Sequence, residues 1–397
     1  MRTPKSLFGG GEDLLVAQRD ARLLVGLQDL RIDLVERLRR RILLRWSGAG
    51  ALTHRDRYEL RRLDYSLTED HEAIQSAYRE FFKAHCPIEV VREAEPVGFD
   101  KNLWERLCGM GGSSMAVPES VGGDGATLVD LTLVAGEVGR GLAPVPWIDH
   151  VVAARLLAAL GAVDADVVAG RQIVALDPAL EAGTGSRLMP AAAVADRLIV
   201  RDGDDVVALT FASRPTPVDN IGRLPMAWVD PATADSRTVI GGGLEAADAY
   251  RRALPEWRLL TAAALVGLVE ETMTIAAEFA KTRYTLGVPI STLQAISHPL
   301  ANMAIVVQGG RNLARRAAWF LDNEPDERPE LAPSAFVFMA EEAPRHATMA
   351  VHIQGGLGVS SEAAATAYLV RARGWPLAAG DAGATAKQIA HLVAERE

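Results

Sequence analysis

A helical hydrophobic period runs from Trp257 to Arg283 without a proline. At 1.5 Å per residue this is a rod about 40 Å long. Its middle, Leu260–Val269, is almost unbroken apolar sequence held between Arg258 and Glu270. A helix apolar on all sides has to be wrapped by others, so the C-terminal part of the chain is confined to a helical architecture. The apolar run itself stays short of the ~18 residues of a membrane span.

The rest of the chain divides around that helix. Residues 1–64 read as a basic extension. It has a helical stretch over Leu14–Trp46, solvent-facing arginines at Arg37, Arg39, Arg40 and Arg41, and a breaker at Ser47–Gly50. Residues 65–170 read as an all-α unit. Ser66 with Glu69 three residues on has capping-box spacing, and helical period then holds to Ala84 before Pro87. Asn102–Met110, Asp130–Gly139 and His150–Leu160 continue it, with a loop at Val117–Gly123. Residues 171–243 carry short β-branched runs at Ile173–Leu176, Arg197–Val200, Val206–Leu209 and Arg237–Ile240. Asp202-Gly203-Asp204 is a hairpin-type connection. Residues 244–397 return to helix. Ser291 is the expected cap of a helix running towards Leu321, and another helix spans Leu331–Gln354 and stops at Gly355-Gly356.

Charge and cysteine content narrow the function. The chain is net −9, but residues 1–64 are net +5 and the remainder net −14. An acidic body of this kind is no nucleic-acid binder, and no membrane partner is expected. Cys86 and Cys108 are too few for a disulfide framework and read as small buried thiols. Met1–Gly11 has no signal-peptide core, which places the protein in the cytoplasm. Cys and His show no metal-ligand spacing.

Three helix ends carry groups suited to an anionic ligand: Arg283 in Arg283–Gly287, Gln294 in Leu293–His298, and Gln354-Gly355-Gly356-Leu357-Gly358. Arginine offers a forked charged donor. Glycines let backbone N–H groups approach a diphosphate, and glutamine supplies both donor and acceptor. Singly, each has an ordinary account: a dipole partner, a surface amide, a C-cap. His298 and His352 read as structural or surface histidines, and Gly309-Gly310 as a close-packing or kink pair.

In this order and spacing the segments resemble the acyl-CoA dehydrogenase family. Thr282–Pro299, TRYTLGVPISTLQAISHP, is similar to its R-x-x-F-G-x-P-I and F-Q-A-x-x-H patterns, and VHIQGGLGVSSE to its Q-x-x-G-G-x-G segment. AVPESVGGDGATLVDLTLVAGEVGRGLAPVP resembles its first domain and SLTEDHEAIQSAYREFF its opening helix. The likeness covers residues 65–397. It implies an α+β fold with an N-terminal all-α domain, a small middle β domain and a C-terminal four-helix bundle, here preceded by a helical extension. It also implies FAD, an acyl-CoA substrate, α,β-dehydrogenation, and an electron-transfer flavoprotein as electron acceptor. By position, Arg283, Leu286 (where the family has Phe), Gln294, Gln354, Gly355, Gly356 and Gly358 fall at the FAD site of a neighbouring subunit.

The departures concern the base. The family's C-terminal glutamate position is occupied by Ala379, and its alternative position on the long helix by Trp257. Neither residue accepts a proton. Glu256 is a helical residue, ~100° of rotation, away, and Asp381 is the remaining weak candidate. The Thr-Glu-Pro segment that meets the flavin ring is reduced to Leu176–Gly185, LDPALEAGTG. The expectation is a half-site subunit of a heteromeric enzyme, whose paralogous partner supplies the carboxylate. The alternatives are a biosynthetic oxidase or monooxygenase of altered chemistry, a self-assembled dimer or tetramer relying on Asp381, and a flavin-free scaffold.

Overall fold

A computed structural model describes residues 65–178 and 185–394. The expected helix and arginine cluster of residues 1–64, and residues 179–184 of the shortened flavin-ring segment, lie outside the described residues. The chain begins with α1 (Glu69–His85), α2 (Ile88–Glu93), α3 (Lys101–Gly109), α4 (Leu128–Arg140), α5 (Trp147–Ala159) and α6 (Ala165–Val168). The start of α1 differs from the Ser66–Glu69 expectation. Thr68 is the cap: its Oγ1 accepts the His71 N–H at 3.3 Å, and His71 Nδ1 accepts the Thr68 N–H at 3.1 Å. An imidazole thus takes the return leg that a carboxylate usually fills. At α4 the same device is built conventionally from Thr127 and Asp130.

The β unit holds β1 (Val174–Leu176), β2 (Arg187–Met189), β3 (Arg197–Asp202), β4 (Asp205–Thr210), β5 (Ala227–Val229) and β6 (Ser236–Gly241). One sheet has the order β1-β3-β4-β6, with β1 parallel to β3 and the other neighbours antiparallel. Asp202 pairs with Asp205, so Gly203-Asp204 is the two-residue turn. Gly203, at φ 62°, supplies the positive angle such turns need. β2 and β5 form a separate antiparallel pair. At three residues each they are too short for an alternating pattern to stand out in the sequence.

The second helical part comprises α7 (Gly243–Thr282), the small hairpin β7 (Tyr284–Thr285) and β8 (Val288–Pro289), then α8 (Gln294–Asn323), α9 (Leu331–Gln354), α10 (Ala364–Gly374) and α11 (Ala382–Ala394). α7 starts at Gly243 rather than Trp257 and carries Pro255 inside it. The ring removes one helical N–H and crowds the carbonyl one turn back, and packing carries the helix through. α7 is long and apolar enough to cross a membrane, but 72% of its apolar window is buried inside the protein, which makes it a core helix. Ser291 is not a cap. It lies in the 3-10 turn Ile290–Thr292, and α8 begins after Leu293 with no side-chain cap.

α7 is held by α9 on one side and α4 on the other. Against α4 the backbones meet directly. A Cβ at Gly139 would stand 1.8 Å from the Ala264 carbonyl oxygen, and one at Gly267 1.7 Å from that of Gly136. Each helical glycine costs about 1 kcal/mol relative to alanine. The cost is offset by dispersion contacts that no larger residue permits. Gly310 answers the same need on α8, where a Cβ would lie 2.5 Å from Met339 Sδ.

Candidate functional site

The far end of the bundle gathers the three helix termini singled out in the sequence. A small apolar cluster ties them: Ala276 and Ala280 from α7, Met303 from α8, and Ala350 and Ile353 from α9, with Ile290 and Ile296 packed against it. Arg283 follows Ala280 by less than one turn, Gln294 precedes Ile296, and Gln354 follows Ile353, so one satellite core positions all three. Arg283 closes α7, its N–H donating to the Phe279 carbonyl at 2.9 Å and its carbonyl accepting from Ile290 N–H at 2.8 Å. Its side chain is exposed, and among the described residues no carboxylate pairs with it. Gln294 is exposed at the first position of α8.

Between β7 and β8, Thr285 pairs with Val288 across the turn Leu286-Gly287. Both turn residues have positive φ, 49° and 80°. Such an angle strains a leucine by about 1 kcal/mol or more, and the strain serves to hold the side chain 92% exposed. Gln354, by contrast, is 8% exposed and its Nε2 has no hydrogen-bond partner. Gly355 takes φ 61°, and a Cβ on Gly355 or Gly356 would meet nothing within 4 Å. Gly358 is different: a Cβ there would strike the Val351 carbonyl at 2.5 Å, so it serves the fold. An unpaired guanidinium, an orphaned buried amide and open backbone beside two glycines fit an anionic dinucleotide such as FAD. His298 and His352 are exposed nearby.

The positions of the two expected bases lie elsewhere. α4, α5, α7, loops of the β unit and the turn Trp375–Ala379 line a partly open cavity of about 60 Å³, with Asp149, Trp257, Thr261, Trp375 and Ala378 among its walls. Trp257 is 3% exposed, and its Nε1 donates to Asp149 Oδ1 at 2.9 Å. Burial pushes the Asp149 carboxyl up to about 6, although the indole hydrogen bond opposes the shift. Sequence reasoning missed Asp149. Its one signal was an acid inside the otherwise apolar start of α5. Glu256 points away as expected, to Arg155 Nε at 2.8 Å. Asp381 is exposed outside the cavity, its Oδ1 accepting the Gly383 N–H at 3.0 Å at the start of α11. Arg258 is 7% exposed and donates to Gln388 Oε1 at 2.7 Å.

Where the family's flavin-ring segment begins, Asp177 is buried against Arg187 Nε at 3.2 Å, and its carbonyl accepts the Tyr250 hydroxyl. This residue braces the sheet against α7. The thiols follow the bland expectation: Cys86 is buried, Cys108 half-buried, and burial holds both in the neutral form.

Comparison with known proteins agrees with this layout. Residues 68–164 match the acyl-CoA dehydrogenase N-terminal domain and residues 243–393 the C-terminal domain of that family. Acyl-CoA dehydrogenase FadE27 of Mycobacterium tuberculosis is 30% identical over 383 residues, covering 84% of this chain and 99% of that protein. Acyl-CoA dehydrogenase IpdE2 of Mycolicibacterium smegmatis is 26% identical over 316 residues, 78% of this chain and 94% of the relative. Among solved structures, the ChsE4-ChsE5 complex from Mycobacterium tuberculosis superposes with a TM-score of 0.74 at 26% identity, covering 84% of this chain and 99% of the other. With both helical parts matched and a relative of this identity spanning most of its length, the chain belongs to the acyl-CoA dehydrogenase family of FAD-dependent oxidoreductases.

Proposed function

We propose that this chain is the half-site subunit of a heteromeric acyl-CoA dehydrogenase: it holds part of a neighbour's FAD and, among the described residues, places no free proton-abstracting side chain at its own cavity. The observation that carries the reading is the cavity beside Trp257 and Ala378. At about 60 Å³ it falls far below the ~300–1,000 Å³ of a small-molecule site. Its carboxylate, Asp149, is engaged by the Trp257 indole. Asp381, the remaining candidate base, is occupied with the first turn of α11.

The bundle end is equipped for the other half of the task. The Arg283 guanidinium neutralises a diphosphate, the Gln354 amide gains the partner it lacks, and the backbone beside Gly355 and Gly356 offers close approach. The solvent-directed Leu286 supplies an apolar contact to the same neighbour. When bound, the flavin is the hydride acceptor for oxidation of an acyl thioester. The α-proton would go to a carboxylate of the paralogous subunit, and an electron-transfer flavoprotein would be the electron acceptor. The likeness to ChsE4-ChsE5, a complex of two differently named chains, supports a paralogous partner. The cytoplasm is the expected compartment.

The test is co-purification with a candidate paralogue. Arg283→Ala removes one charge-assisted contact, worth about 1.5–3 kcal/mol, so FAD retention by the complex should weaken roughly 10- to 100-fold. Unchanged FAD content rejects the role of Arg283. Stoichiometric flavin in the chain alone, with acyl-CoA oxidation, rejects the half-site reading.

A further inference from the structure

We propose that Trp257 is a plug closing this chain's own acyl cavity and that Asp149 is the positioning residue that holds the plug in place. The inference deepens the half-site reading and rests on it. The indole is pinned from two sides. Asp149 Oδ1 on α5 accepts its N–H at 2.9 Å, and Phe336 on α9 packs beside it, the rings tilted 51° with centroids 6.4 Å apart. The space left, about 60 Å³, has room for only a few waters. Yet the walls suit hydrocarbon: Val138, Val145, Ile148 and Leu224 line them, with Asp149 and Thr261 as polar members. What the cavity lacks is room rather than apolar character. Thr261, one turn beyond Trp257 on α7, faces the same space, so removing the indole extends an existing cavity.

Asp149 is placed to decide where the indole sits. A tryptophan buried without a partner for its N–H leaves an unsatisfied donor, costing about 1–3 kcal/mol. With Asp149 as acceptor, the ring orientation that lines the cavity is also the one that satisfies the N–H. Asparagine at this position keeps a carbonyl oxygen as acceptor, whereas alanine does not.

The experiment measures octanoyl-CoA binding to the full-length chain by calorimetry. Wild type and Asp149→Asn should show no saturable binding. Trp257→Ala should bind one equivalent in the micromolar range, and Asp149→Ala should bind detectably, at least tenfold more weakly. Wild-type binding as tight as that of Trp257→Ala overturns the plug. So does absence of binding by a Trp257→Ala protein that still melts cooperatively. If that variant fails to fold, Trp257→Leu replaces it with the same two outcomes. The two readings fail separately: oxidation of octanoyl-CoA by the wild-type chain alone with flavin sinks the half-site reading, whereas a non-binding but folded plug variant sinks the plug alone.

Discussion

Replacing Asp149 by asparagine should remove a pH dependence from the stability of the protein. The Asp149 carboxyl rises from 3.8 to about 6 because burial disfavours its charge. In the unfolded chain the group ionises near its ordinary value, so between pH 4 and 6 the folded state binds the extra proton. Stability contributed by the neutral carboxyl is therefore present at low pH and lost as pH rises through about 6. Two units at 1.36 kcal/mol each give a loss of up to about 3 kcal/mol between pH 4 and pH 8. Asparagine does not titrate and still accepts from Trp257 Nε1. Its unpaired amide hydrogens add a cost of about 1–3 kcal/mol, but that cost is the same at every pH. Denaturant melts of wild type and Asp149→Asn at pH 4, 5, 6, 7 and 8 isolate the difference, because Asp322, also raised to about 6, contributes equally to both proteins. The stability gap should move in favour of asparagine by up to about 3 kcal/mol as pH rises. A gap independent of pH would refute the argument that Asp149 carries a desolvated charge.

Other substitutions test other parts of the account. Gly267→Ala drives a methyl into the Gly136 carbonyl and should destabilise by about 3 kcal/mol or more, read as a drop in Tm. Leu286→Asn suits the positive φ of its turn and should raise Tm slightly while loosening FAD in the heteromer; equal flavin retention would remove Leu286 from that contact. In native protein, Cys86, its thiol pushed up to about 12 by burial, should resist a disulfide reagent at pH 8. Cys108, at about 11 and half-buried, should react first. Both should label at once in denaturant.

Long periodic segments were legible in the sequence because burial imposes the period. Leu331–Gln354 ends where Gly355 takes its positive φ, and the Asp202–Asp205 hairpin is fixed by one glycine. Helix starts were less legible. Ser66 and Ser291 have the residue type of caps, but Thr68 and the uncapped Leu293 hold those places, since packing chooses among adjacent candidates. Pro255 hid the first turns of α7, where burial of Ala246, Tyr250 and Leu254 outweighs the missing N–H and the crowding of the proline ring. Arg283, Gln294, Gln354 and Gly355 could be singled out in the sequence because their motif spacing follows helix ends, and one apolar cluster joins those ends in the structure. Asp149 was not, because its significance lies in a contact with Trp257 across 108 positions of chain. Local patterns carry no trace of such a pairing.

The glycine seam between α4 and α7 bears on how the molecule comes apart. Where main chain lies on main chain, no side chain stands between the two helices to let one slide while the other stays. Separating them uncovers peptide groups as well as hydrocarbon, so neither layer has a comfortable detached form. Amide protons on both sides of the seam should therefore exchange at one common rate, set by whole-body unfolding, and a fragment beginning at Gly243 would present that bare strip of backbone to water.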